Sequence, residues 1–195
     1  MDPHARRWFT GFFKVPVDGP VEFRENGLAG DGQADLRFHG GPDKAVLAYS
    51  ADHYPLWRGE LNRPEMTGGG FGENLTIAGL SENSVCIGDR WRSGTVLFQV
   101  SQPRQPCWKL GRRWNLPDLP KRVIQTNRSG WYLRVLESGV LTAPTPLHLA
   151  DRPHPQWTIA RANRVLYDRR VDPAERLALA TIPELSAAWR TELLP

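Results

Sequence analysis

The chain has 195 residues, 40% hydrophobic and 24% charged, which suits one main globular domain with room for a small appendage. That balance argues against disorder and collagen-like repeats, and no run approaches the ~18 apolar residues of a membrane span. The formal net charge of +4 is uneven: residues 101–134 hold eight Arg and Lys against one acid, Asp118, a block suited to an anionic partner or to a solvated basic face.

Residues 1–7 are partly basic but lack the apolar stretch of a secretory signal. Two cysteines, Cys86 and Cys107, cannot make a disulfide framework and point to a reducing, cytoplasmic setting. Residues 1–150 read as short strands punctuated by Gly and Pro. The first signal is the turn His39-Gly40-Gly41-Pro42-Asp43-Lys44, followed by a strand over 44–49. Residues 52–61 predict a helix with Leu56, Trp57 and Leu61 on one stripe. Four glycines, Gly68, Gly69, Gly70 and Gly72, then make a loop before Glu73 and Asn74. Cys86 falls in an apolar stretch, 84–87, read as a core strand. Residues 90–92 and 95–100 flank a tight turn at Ser93-Gly94 and predict a hairpin. Residues 107–111 offer a short helical turn at best, and 118–126 an amphipathic, basic helix. Strands follow at 131–136 and 146–149. Past the linker 152–155 the pattern turns helical. Thr158 caps a helix with Ile159, Ala162, Val165 and Leu166 on its stripe. Asp172-Pro173-Ala174-Glu175 reads as a capping box. Pro183 opens a third helix with Leu185, Ala188, Trp189 and Leu193 on one face. The expected division is a β-rich domain over 1–150 and a helical tail over 151–195.

Three places carry candidate chemistry. Cys107 follows the clearest strand, and Arg104 and Lys109 flank it. Cations beside a thiol favour the thiolate, the metal-binding and nucleophilic form; the alternative is a buried structural cysteine. In the 39–44 turn, backbone N–H groups can approach an anion, framed by His39 and Lys44, although such turns are often purely structural. The Gly68–72 loop lacks both the phosphate-loop ending and the helix of a dinucleotide fingerprint. Asn74 there is a candidate polar contact, and Glu73 is as well suited to capping the turn. There is no Cys-x-x-Cys pair, no metal-helix histidine spacing and no Gly-x-Ser-x-Gly elbow. A Cys107–His39 hydrolase pair stays open.

Taken in order, Gly30-Asp31-Gly32, His39-Gly40-Gly41-Pro42-Asp43-Lys44, Gly70-Phe71-Gly72-Glu73-Asn74-Leu75, Ile87-Gly88-Asp89, Gln102-Pro103-Arg104-Gln105-Pro106-Cys107-Trp108-Lys109 and Gly130-Trp131-Tyr132-Leu133-Arg134-Val135 resemble the MOSC domain, the family named after the C-terminal domain of molybdenum cofactor sulfurase. Its stand-alone YiiM-type members look most similar, and residues 152 onward resemble their C-terminal helical region. The resemblance implies a mainly β fold with helices: a MOSC-type β-barrel followed by a small C-terminal helical region. It also implies a molybdenum cofactor (molybdopterin) held with Cys107 as the metal ligand. Lys44, Arg104 and Lys109 would contact its anionic parts, with Gly72 allowing close approach. His39 and Asn74 would orient pterin or substrate, and His39 could also pass protons. Members of this type usually begin with an apolar strand, so the polar residues 1–7 imply a barrel short of one strand or a start further upstream. Residues 143–146, Ala-Pro-Thr-Pro, stand where a Gly-Asp turn is common, which leaves the register of the last strand open.

The expected activity is reduction of N-hydroxylated small molecules, with electrons from an external donor protein and no membrane or nucleic-acid partner. A carrier that hands on the cofactor or its sulfur through the same cysteine is the alternative. A nucleic-acid-binding barrel is the third class; it leaves Cys107 unexplained, and only Trp108, Trp114 and Trp131 lie in the basic block. The tail's apolar stripes need a cover: the barrel, a donor protein or a second copy in a homodimer.

Overall fold

The computed structural model describes residues 10–32 and 40–194. In chain order its strands are β1 (Pro20–Arg24), β2 (Gly27–Leu28), β3 (Val46–Ser50), β4 (Leu75–Ile77), β5 (Arg90–Ser93), β6 (Val96–Pro103), β7 (Trp131–Glu137), β8 (Gly139–Thr142) and β9 (His148–Asp151). Its helices are α1 (His53–Leu61), α2 (Trp108–Trp114), α3 (Leu119–Thr126), α4 (Ile159–Tyr167), α5 (Pro173–Ala180) and α6 (Ala187–Leu193). One sheet runs β2-β1-β8 and a mixed six-stranded sheet runs β4-β3-β7-β6-β5-β9. No ladder joins the two among the described residues, so the expected barrel is a half-barrel. No helix among those residues is long and apolar enough to cross a membrane.

The strands follow from their side chains. Trp131, Leu133 and Val135 alternate inward along β7, the two-residue period of a half-buried strand. β3 is buried throughout and β6 nearly so, because helices or loops cover both of their faces. The β5–β6 hairpin turns at Gly94-Thr95, with Ser93 opposite Val96 and Gly94 at φ +51°. β9 pairs with β5 across an irregularity opposite Arg90 and Trp91. Its ladder begins at His148 rather than at Pro146, which has no N–H to donate. Residues 84–87 form no strand. Cys86 is buried as expected but makes a single bridge to Thr158.

The barrel itself covers the tail. One apolar cluster runs from Phe23, Val100 and Leu133 to Trp157, Leu185 and Trp189. Thr158 caps α4 by accepting from Arg161 N at 3.1 Å. Asp172 caps α5 from Ala174 N at 2.8 Å, but the other half of the box is not made: Glu175 turns instead to Arg161 and Arg164. α6 starts later than expected. Ser186 caps it through Trp189 N, leaving Pro183 in the preceding turn and Ala188 exposed. On α1 the buried face is His53, Tyr54 and Trp57, and Leu56 points outward. α2 runs further than a single turn. Gly111 allows this, because a Cβ there would lie 2.8 Å from Leu116 O.

Candidate functional site

β6 and β7 pair as far as Pro103 opposite Trp131. Arg104 N then donates to Gly130 O at 3.0 Å. Gly130 is tied in turn to buried Glu82, its N–H donating to Oε1 at 2.7 Å, while Glu82 Oε2 lies 2.7 Å from His53 Nε2. From this anchored end the chain turns into Cys107, the N-cap residue of α2, in extended backbone at φ −110° and ψ 168°. Cys107 is half-buried, not sealed in the core.

Glu73 organises the glycine loop. Its buried carboxylate accepts from Gly69 N at 2.7 Å, Phe71 N at 3.0 Å, the Tyr54 hydroxyl at 2.5 Å and the Thr76 hydroxyl at 3.0 Å. Four donors on one carboxylate satisfy it fully. The last turn of α2 clamps the loop from outside. Arg113 Nη1 donates to Gly69 O at 2.9 Å and to Phe12 O at 3.0 Å, and Trp114 Nε1 to Gly70 O at 2.9 Å. Residues 10–14 are thereby held across the loop, with the Phe12 ring against Gly72.

Between these parts lies a cleft open to solvent at its mouth. Six of the seven residues picked from the sequence line it: Lys44, Gly72, Asn74, Arg104, Cys107 and Lys109. The seventh, His39, lies outside the described residues. Arg104 is 3% exposed; its Nη2 donates to Phe71 O at 3.2 Å, while Nη1 has no partner among the described residues. Burial pushes the Lys44 ammonium below its ordinary value, against the pull of Glu192 and Asp43. Asn74 lines the wall with its amide committed: Oδ1 accepts from Leu47 N at 2.9 Å and Nδ2 donates to Asp31 Oδ2 at 2.7 Å. Asp31 also pairs with Lys14.

Lys14, Asp31 and Tyr132 also line the cleft, and sequence reasoning did not pick them out. Asp31 and Tyr132 do fall within the family-like segments. Tyr132 alternates with buried Trp131 and Leu133 on β7, so it faces away from the main core and toward the cysteine loop. Burial pushes its phenol up, Arg104 opposes this and Cys107 adds to it.

The basic block is not one surface. Of its eight cations only Arg104 and Lys109 line the cleft. Arg134 bonds Asp43, Gln99 and Glu184 O. Arg128 pairs with Glu60 and lies over Trp57, and Arg122 pairs with Asp118. Trp131 is buried and Trp114 half-buried, so the block presents no row of stacking aromatics. Among the described residues no three His, Cys, Asp or Glu side chains gather as a metal set. Among the described residues that line the cleft, Cys107 is the one sulfur donor.

A family model described as MOSC domain matches residues 35–147, and one described as YiiM-like, 3-alpha helix domain matches residues 157–194. The chain is 42% identical over 185 residues to YflK of Bacillus subtilis (strain 168), covering 95% of this chain and 83% of that one. It is also 42% identical over 166 residues to a protein named Reductase from Gibberella moniliformis, covering 83% of this chain but only 29% of the relative. The crystal structure of YiiM from Geobacillus stearothermophilus matches with a TM-score of 0.85 and 43% identity, covering 96% of this chain and 89% of that one. The fold and the helical tail thus agree with these matches, and the chain belongs to the MOSC domain family, with a YiiM-like three-helix region at its C-terminal end.

Proposed function

We propose that the cleft holds a molybdopterin-type molybdenum cofactor with Cys107 as the protein's ligand to the metal, and that the protein reduces N-hydroxylated small molecules in the cytoplasm. The observation that carries this is Cys107, half-buried on the cleft wall, beside a buried Arg104 whose Nη1 is unpartnered. A buried donor left unpaired costs about 1–3 kcal/mol, so this guanidinium is suited to an anionic ligand such as the cofactor's phosphate. A thiolate is a soft ligand, matched to a thiolate-rich metal centre. The single protein sulfur also suits a metal that brings its own ligand frame.

When bound, such a cofactor supplies two-electron chemistry at a substrate oxygen. The residues do the rest. Arg104, Lys44 and Lys109 bind the anionic parts of the ligand. Gly72 and Phe12 form one wall, and Asp31, through Asn74, holds that wall to β3. His39 is assigned to orienting the substrate or passing protons. Conversion of N–OH to N–H plus water takes two electrons and two protons, the electrons coming from an external donor. The Gibberella relative is named Reductase, which favours turnover over carriage.

The test is molybdenum and pterin content of protein made in cofactor-producing cells, with reductase turnover on an artificial donor. Cys107→Ser is expected to lower bound molybdenum roughly tenfold or more and to abolish turnover. Full molybdenum and activity in that variant would overturn the proposal. Stoichiometric transfer of the cofactor without turnover would leave Cys107 as the ligand and make the protein a carrier.

A further inference from the structure

The cleft wall carries a hydroxyl to which binding the cofactor gives no task. Tyr132 lies on β7, opposite Leu47 on β3 and Gln102 on β6. Its backbone is thus fixed inside a three-strand ladder, and its carbonyl accepts a further hydrogen bond from Ser101 Oγ at 3.1 Å. A side chain on such a frame is held more precisely than one on a loop. The ring forms part of the cleft wall, with Lys44 Nζ 6.0 Å from its centroid, and the phenol lies in the fields of Arg104 and Cys107. Its hydroxyl has no hydrogen-bond partner among the described residues, yet it is not sealed off from the cleft. The other neutral polar side chains on the wall already make hydrogen bonds within the protein. Asn74 is bonded to Leu47 N and Asp31, Gln105 gives its amide to Glu192, and Thr10 Oγ1 accepts from Phe12 N at 3.0 Å. The remaining side-chain donors there are the cations Lys14, Lys44, Arg104 and Lys109, which suit anionic groups.

The inference rests on the reading of the site given above, in which the substrate brings a neutral oxygen on nitrogen into this cleft. Each turnover breaks the N–O bond, forms an N–H bond and releases the oxygen as water, taking two electrons from the external donor and two protons from solvent. Negative charge develops on the oxygen as its bond to nitrogen breaks. A fixed donor aimed at developing charge binds the transition state more strongly than the ground state. We propose that Tyr132 is a catalytic residue whose hydroxyl donates a hydrogen bond to the substrate's N-hydroxyl oxygen, on the Cys107 side of the cleft. A neutral phenol suits this task better than an ammonium, because it does not draw the cofactor's anionic parts into the substrate's place. Burial keeps the phenol protonated, so it donates without giving up its proton. The same hydroxyl sets the substrate class: a neutral N-hydroxylated compound is held in preference to its N–H product, which leaves the donor unpaired.

The test uses the molybdenum-loaded protein, wild type and Tyr132→Phe, with reduced methyl viologen as electron source and phenylhydroxylamine as substrate. Phenylhydroxylamine and aniline are both neutral at neutral pH and differ by the one oxygen. In Tyr132→Phe, kcat is expected to fall about 100-fold while KM rises by about tenfold at most. Molybdenum content, read by metal analysis, should match the wild type. Binding is measured separately, by anaerobic calorimetry on the oxidised protein without an electron donor. There the wild type should prefer phenylhydroxylamine to aniline about tenfold, and the variant should lose that preference. A wild-type kcat in the variant, or a preference equal to the wild type's, overturns the assignment. So does a variant that loses molybdenum in step with its activity, which would place Tyr132 in cofactor binding. A wild type that binds both compounds equally overturns it without any variant. All of these leave the reductase reading standing. Molybdenum-loaded wild type with no viologen-driven turnover overturns that reading and this assignment together.

Discussion

Gly72 shows how one missing methyl group shapes the cleft. Its φ is +80°, and a Cβ there would stand 2.8 Å from the Phe12 ring. Gly72→Ala therefore meets both a backbone penalty and a clash. The expected cost is about 1–3 kcal/mol, read as a lower midpoint in urea unfolding, with lower molybdenum content because Phe12 is displaced from the wall. An unchanged midpoint and full metal loading would show that Phe12 moves aside freely. Cys107, Arg104 and Lys109 were nameable from the sequence because a thiol among cations in a strand-end loop carries its chemistry on its face, and Lys44 because it frames a Gly-Gly-Pro turn suited to an anion. Asp31 was harder to see: it lines the cleft held by Lys14 and by Asn74, 43 residues away. The sequence could not show that Asn74's amide is committed to Leu47 and Asp31, because those partners come from different elements.

At the scale of elements, the tail helices were legible where a cap announces them. Thr158 and Asp172 each accept from the N–H of their own first turn, an interaction local in sequence. Ser186 is the cap that the reading missed, because Pro183 offered a competing start. Ser186 is fully buried, and its Oγ accepts from Trp189 N, so removing it leaves that donor unsatisfied in the core. Ser186→Ala is expected to destabilise the protein by about 1–2 kcal/mol, measured by chemical unfolding. A change near zero would mean that packing of Trp189 alone holds the first turn. The stripe of α1 was misjudged for a related reason. Leu56 is the more hydrophobic residue, but α1 turns His53 and Tyr54 inward, where His53 meets Glu82 and Tyr54 meets Glu73. Partners distant in the chain, not side-chain hydrophobicity, chose that face.

Across the whole molecule, the tail and the cleft are mechanically joined. Gln105, two residues before Cys107, donates to Glu192, the last residue but one of α6, at 2.7 Å. Arg134 on β7 donates to Glu184 O at 2.6 Å, and Arg152 forks onto buried Asp89 at 2.8 and 2.7 Å. The Glu184 carboxyl lies 2.8 Å from His154 Nε2, which fixes the linker to the tail. Burial acts to raise its pKa, but the hydrogen bonds from His154 and from its own backbone N–H, with the charges of His154 and Arg90, together outweigh burial and hold it below the ordinary 4.5. A carboxyl lowered on folding stabilises the native state above its unfolded value and loses that contribution as pH falls through the lowered one. Glu184→Gln is therefore expected to flatten the loss of stability below about pH 4.5, seen by comparing urea midpoints at pH 6 and pH 4. An acid limb as steep as the wild type's would place the responsible carboxyl elsewhere.

The sequence by itself determined the kinds of chemistry present and the local elements: a thiol among cations at a strand end, alternating strands, helices begun by their caps. Each of these depends on residues only a few positions apart. Tertiary structure alone decided which two of eight clustered cations line the cleft, that Asp31 and Tyr132 join them, and that the barrel covers the tail helices in a shared core. Those outcomes rest on contacts between residues tens of positions apart, where the pairing of strands, not the pattern along the chain, selects the neighbours.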